Sequence, residues 1–213
     1  MSPDGNVVAE WLGPMTVHES GATILIAEDD QPLRELYEAW LPADDTVRSA
    51  ANGQEALERL DDTVDIILLD RQMPQLSGAE LLEVVDDREY DCQSAMITGV
   101  EPGFDILELK CEAYLTKPVS KPEVRTTVDR LHQLDAYSEP LQEYFALVSK
   151  KAVLEQHKRP TELAEHSRYD ELVETVAAMR ERLADESAAF ADDEFQELLA
   201  AVDTEATALP NHR

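Results

Sequence analysis

The chain has 213 residues, 43% of them hydrophobic, enough for one well-buried core with a smaller appendage. Its 46 acidic and 18 basic side chains give a formal net charge of −28, a surface that repels nucleic acid and anionic lipid at ordinary salt. Arginine outnumbers lysine, and an acidic, lysine-poor surface suits a halophilic, archaeal cytosol where molar salt screens charge, which would weaken the case against DNA contact.

The opening "MSPDGNVVAEWLGPM" lacks the basic and long apolar regions of a signal peptide. Residues 1–21 read as a disordered extension, with Met15 as an alternative start. No apolar run approaches the ~20 residues that span a bilayer, so no membrane role is expected.

From residue 22 to 134, strands and helices alternate. "TILIAE" (23–28) is a continuous apolar strand. A helix over 32–41 follows, then a short strand "TVRSA" (46–50) and a helix over 52–60 with Asn52 as its N-cap. "VDIILLD" (64–70) is a second apolar strand, followed by a helix over 77–87, a strand "QSAMITG" (93–99) and a weaker helix over 102–110. "AYLT" (113–116) is the fifth strand, and a helix over 120–134 closes the unit, with Ser120 as its N-cap. Five strands alternating with five helices predict an α/β fold: a parallel sheet covered on both faces, with right-handed crossovers. Ligands of such sheets sit at the C-terminal strand ends.

The polar residues of interest fall at those ends. Glu28, Asp29 and Asp30 follow the first strand, Asp70 ends the third, Thr98 lies at the end of the fourth and Lys117 follows the fifth. Grouped carboxylates at a strand edge suit a hard divalent cation, with Mg²⁺ the natural candidate. An exposed carboxylate can attack a phosphoryl group, while an ammonium and a hydroxyl hold the phosphoryl oxygens. Asp30 is read as a cap of the following helix. Cys92 and Cys111 lack metal-ligand spacing and read as free, mostly buried thiols. His18, His132, His157, His166 and His212 are scattered and read as surface residues.

The segments "ILIAEDD", "LLDRQMPQLSG", "MITG" and "AYLTKPV" closely resemble, in order and spacing, the receiver domain of two-component response regulators. The resemblance implies a (βα)5 doubly wound, flavodoxin-like sheet of strand order 2-1-3-4-5. It also implies that Asp70 is the phosphoacceptor for a partner histidine kinase. Glu28, Asp29, Asp70 and the backbone carbonyl of Gln72 would be the Mg²⁺ ligands, with Glu28 acting through water. Lys117 would pair with the phosphate, ahead of Pro118, and Thr98 and Tyr114 would be the switch pair. Glu28 stands where Asp is commoner, Gly99 where Ala is common, and "KCEAY" where a Gly-Ala-acid-acid run is usual. Gln72 and Val100 occupy positions that modulate phosphate lifetime in that family.

After residue 134 the strand pattern stops. An amphipathic helix over 139–158 ends before Pro160. A long helix is expected over 161–190, with Leu172, Val176, Met179 and Leu183 as a short heptad seam, and an acidic helix over 192–203. The seam predicts an intramolecular hairpin that also supports a homodimer. "LQEYFALVSKKAVLE" resembles the HalX domain appended to receivers in haloarchaea, giving a helical HalX-like domain over 135–206 and a tail over 207–213. No helix-turn-helix, basic recognition helix or zinc spacing is present, and the basic stretch 149–159 reads as a solvated helix face. The functional expectation is a phosphoacceptor signalling protein rather than an enzyme: a phosphorelay response regulator that passes a conformational change to a helical output region. A phosphorylation-controlled transcription factor and a protein–protein adaptor are the alternatives. A phosphatase of the haloacid-dehalogenase type is set aside, because Gln72 stands where its second acid belongs.

Overall fold

The computed structural model describes residues 21–134 and 139–190. The helix expected over 192–203, the extension before Gly21, His18, His212 and the tail lie outside the described residues. Strands β1 (Thr23–Ala27), β2 (Thr46–Ala50), β3 (Ile66–Leu69), β4 (Gln93–Thr98) and β5 (Ala113–Thr116) form one parallel sheet of order β2-β1-β3-β4-β5. This is the expected order. Helices α1 (Gln31–Trp40), α2 (Gly53–Arg59), α3 (Gly78–Asp87) and α4 (Lys121–Leu134) alternate with the strands. Helices α5 (Glu139–His157), α6 (Pro160–Ala164) and α7 (Ser167–Phe190) follow.

Side chains alternate along each strand, so the sheet has two cores. Ile24, Ile26, Ile66, Leu68, Ile97 and Leu115 face α1 and α4. Leu25, Ile67, Leu69, Met96 and Tyr114 face the opposite side, with α2, α3 and α5. Both faces are fully covered, which is why the central strands read as unbroken apolar runs. The caps are local. Asp30 accepts the Leu33 N–H at 3.0 Å, and Asn52 accepts that of Glu55 at 2.8 Å. Ser77 and Glu80 form a reciprocal capping box at α3. Ser120 precedes α4, and its N–H donates to the Glu123 carboxylate at 2.6 Å.

Four expectations need correction: the helix over 102–110, the single helix over 161–190, the surface histidines and, at Lys150, the solvated face over 149–159. Residues 102–110 do not form an α-helix; only a 3₁₀ turn forms, Phe104–Glu108. Its N-cap is Gly103, which offers no side chain, and five residues are too few to repay helix nucleation. The sheet face it leaves is occupied by α5, which contacts both β5 and this turn. The single helix expected over 161–190 is divided into α6 and α7 at Glu165 and His166, so that α7 can run back along α5. The described histidines are half-buried rather than superficial. The His166 ring stacks on Phe104 with centroids 3.5 Å apart and planes 12° apart, and His157 Nε2 lies 3.4 Å from the Thr116 hydroxyl.

Helix α5 is buried on several sides because it is a layer between the sheet and α7. Leu141, Tyr144, Val148, Ala152, Val153 and Leu154 are buried. The seam Leu172, Val176, Met179 and Leu183 packs into the same core, so the hairpin closes within the chain. Lys150 is only 6% exposed; its ammonium donates to the Leu109 carbonyl, so it is a tie to the receiver rather than part of a solvated face. Cys111 is buried and Cys92 half-buried, and burial pushes both thiols up to about 12. No helix among the described residues is long and apolar enough to cross a membrane.

Because α5 replaces a helix of the α/β unit itself, its core residues should govern the stability of the whole chain. Tyr144→Ala is expected to lower the unfolding free energy by about 3 kcal/mol in a single urea transition followed by circular dichroism. A separate early transition of the helical part would contradict this.

Candidate functional site

The site is built where the parallel ladder runs one residue beyond β1 and β3. The Glu28 N–H donates to Ala50 O at 3.1 Å, and the Asp70 N–H to Ala27 O at 2.8 Å. These bonds set Glu28 and Asp70 side by side at the carboxyl edge. Asp29 is exposed beside them. Carboxylate oxygens of Glu28, Asp29 and Asp70 lie within 4.8 Å of one another. On the β5 side, the Lys117 N–H donates to Thr98 O at 2.7 Å, and the Lys117–Pro118 peptide is cis.

The Lys117 ammonium reaches across β3. Its Nζ donates to Glu28 Oε2 at 2.7 Å and lies 3.1 Å from Asp70 Oδ2. Glu28 is 1% exposed and Asp70 9%. Burial raises the Glu28 carboxyl above its usual range, although the Lys117 hydrogen bond opposes this. Burial alone would lower the Lys117 ammonium, but the Glu28 hydrogen bond and the charges of Glu28 and Asp70 outweigh it and raise it. The cation is therefore held charged between two acids that would otherwise repel each other.

Thr98 is fully buried, and its hydroxyl accepts the Val100 N–H at 3.1 Å. A Cβ on Gly99 would meet nothing within 4 Å, so the glycine leaves open space above the strand end. Tyr114 is 1% exposed, under the α5 layer rather than at the surface. Its hydroxyl accepts from Arg71 at 3.5 Å. The Gln72 N–H donates to Asp70 Oδ1 at 3.4 Å, which turns the chain directly after Asp70. Glu28, Asp29, Asp70 and Lys117 thus converge; Thr98 ends the adjoining strand, and Tyr114 lies on the opposite sheet face from Leu115.

The donor set suits a hard divalent ion: two buried carboxylates and one exposed, all oxygen, with an open side toward solvent. Two contacts were not anticipated from sequence. Arg34 donates to Glu28 O at 2.5 Å and braces the acidic turn from α1. Arg71 forms an ion pair with Asp105 as well as its bond to Tyr114. Neither has a sequence signal beyond adjacency, Arg71 being the residue after Asp70 in "LLDRQMP".

Comparison with known proteins agrees with this geometry. Residues 24–129 match the response regulator receiver domain, and residues 133–199 match the HalX domain. A protein of Haloferax volcanii, provisionally named a transcriptional regulator, is 42% identical over 158 residues, 74% of this chain and 27% of that protein. The transcriptional regulatory protein CpxR of Escherichia coli K12 is 30% identical over 123 residues, 56% of this chain and 53% of that protein. The chain thus spans about a quarter to a half of the length of these relatives. Among solved structures, a CheY-like receiver domain protein of Methanospirillum hungatei JF-1 superposes with a TM-score of 0.51 at 24% identity, covering 55% of this chain and 98% of that one, a likeness of fold. The chain carries a response regulator receiver domain over residues 24–129, followed by a HalX domain over residues 133–199.

Proposed function

We propose that this response regulator accepts a phosphoryl group on Asp70 from a histidine kinase and relays the change to its helical half, in the cytoplasm. The observation that carries the reading is the Lys117 ammonium 3.1 Å from Asp70 Oδ2 at an edge shared with Glu28 and Asp29. An Asp70 carboxylate oxygen attacks the phosphorus of a donor phosphohistidine. The P–O bond forms as the P–N bond breaks, and the imidazole leaves with the electron pair. Lys117 neutralises the incoming phosphoryl oxygens, and the Thr98 hydroxyl, which accepts the Val100 N–H and keeps its own proton to give, donates to one of them. Glu28, Asp29, Asp70 and the Gln72 carbonyl would hold Mg²⁺, which when bound offsets the charge shared by carboxylate and phosphoryl group. Tyr114 would respond as the aromatic partner of Thr98. A homodimer would need a surface other than the heptad seam, which α5 already fills.

A second reading, regulation of transcription through the helical half, draws on the names of the Haloferax and Escherichia coli relatives. An electrophoretic shift assay in molar KCl tests it. DNA binding that appears only on phosphorylation would support it. Capture of signalling proteins alone, without DNA, would favour an adaptor.

Incubation with acetyl phosphate and Mg²⁺ is expected to add one phosphoryl group to the wild-type chain by intact mass and none to Asp70→Asn. Chelation with EDTA is expected to abolish labelling. Equal labelling of both proteins would reject the assignment. Lys117→Ala is expected to slow labelling about a hundredfold while leaving the far-ultraviolet spectrum unchanged, because an ammonium aimed at the transferring oxygens is lost without a core cavity.

A further inference from the structure

We propose that His157, at the end of α5, is a positioning residue: it holds the Thr116 hydroxyl and so fixes the end of β5 from which Lys117 reaches the site, an inference that rests on phosphoryl acceptance at Asp70. The topology creates the need. In the order β2-β1-β3-β4-β5, β5 is an edge strand, laddered to β4 alone. Thr116 is its last residue and partners Thr98. The ladder ends one residue on, where the Lys117 N–H donates to Thr98 O at 2.7 Å. No strand supports the outer side of β5, yet the Lys117 ammonium must reach Glu28 Oε2 at 2.7 Å and Asp70 Oδ2 at 3.1 Å.

Helix α5 supplies that support. Lys150 bonds Leu109 O ahead of β5, and about two turns later His157 Nε2 lies 3.4 Å from the Thr116 hydroxyl at the end of the strand. The helix therefore rises alongside β5 from the amino to the carboxyl edge, and the last residue of each meets the other. Tyr114 faces α5 and Leu115 faces away, so strand alternation turns the Thr116 side chain toward α5 as well. The next residue, Lys158, pairs with Glu101 at 3.2 Å, which ties the same helix end to the segment after β4 through an exposed acid.

An imidazole suits this role. A threonine hydroxyl both donates and accepts, so it can bond Nε2 in either neutral tautomer. Burial holds the His157 ring below its usual pKa, although Glu101 opposes this and Lys158 adds to it. The ring is therefore neutral at about pH 7 and brings no second cation to the edge beside Lys117. Loss of the bond frees the Thr116 side chain to turn and loosens the backbone that aims Lys117. Labelling then slows although every group that touches the phosphoryl oxygens is still present.

The rate at which acetyl phosphate and Mg²⁺ label the full chain, followed by intact mass, tests the assignment. His157→Ala and Thr116→Val are each expected to slow labelling about fivefold, the factor that one hydrogen bond between neutral groups contributes. The double variant is expected to be no slower, because both changes remove the same bond. His157→Gln, whose amide can reach the same hydroxyl, is expected to label within about twofold of wild type. Lys158→Ala, which frees the helix end from Glu101 and leaves Thr116 untouched, is likewise expected to label within about twofold. Wild-type rates in His157→Ala or Thr116→Val would overturn the role and leave the phosphoacceptor standing. Additive losses in the double variant, a slow His157→Gln, or a Lys158→Ala as slow as His157→Ala would overturn it too, each assigning the effect to packing of the helix end. Absence of uptake by the wild-type chain would overturn the phosphoacceptor reading and this role with it.

Discussion

The Lys117 ammonium lies between two carboxylates that the fold has drawn out of water, and the carboxyl edge of the sheet is organised around that cation. Glu28 and Asp70 occupy adjacent strand ends because the β1–β3 ladder continues past both strands. Without a cation there, two acids so close would repel each other. With it, that repulsion is offset. Three acids grouped around one ammonium form a donor set that a hard divalent ion suits.

The second constraint is that a parallel sheet must be covered on both faces. Here the receiver does not cover its own. Between β4 and β5 it has only a 3₁₀ turn, and α5 from the HalX segment closes the face above Tyr114. The sequence division into two domains is therefore sharper than the packing. One apolar cluster runs from β1 through Met96 and Tyr114 to Met179 on α7. The sheet face above Tyr114 and the helical half are thus joined by continuous apolar contact.

The strands and the site were legible because their signals are local and periodic. "IILL" between polar residues permits little except a buried strand, and acids immediately after apolar runs must lie at strand ends. The caps Asp30 and Asn52 carry their meaning in one residue. The absent helix was not legible. "PGFDILELK" has helical spacing, and its failure depends on α5 arriving from thirty positions away to claim the space. The same holds for His166 and Lys150, whose partners Phe104 and Leu109 are distant in sequence. The division at His166 follows from that stack and from the need to reverse the chain, neither of which leaves a pattern in "TELAEHSRYD".

The basic stretch 149–159 shows how packing alters the meaning of charge. Lys150 bonds Leu109 O, Lys151 bonds Glu155, Lys158 pairs with Glu101 and Arg159 with Glu162. All four cations are engaged within the chain, in a protein of net charge −28. Lys150 is buried and costly to withdraw, whereas Lys158 and Arg159 sit in exposed pairs that another anion can replace at little cost. The stretch 149–159 therefore presents little unpaired positive charge to a phosphate backbone. A polyanion that engages Lys158 must displace Glu101 from it.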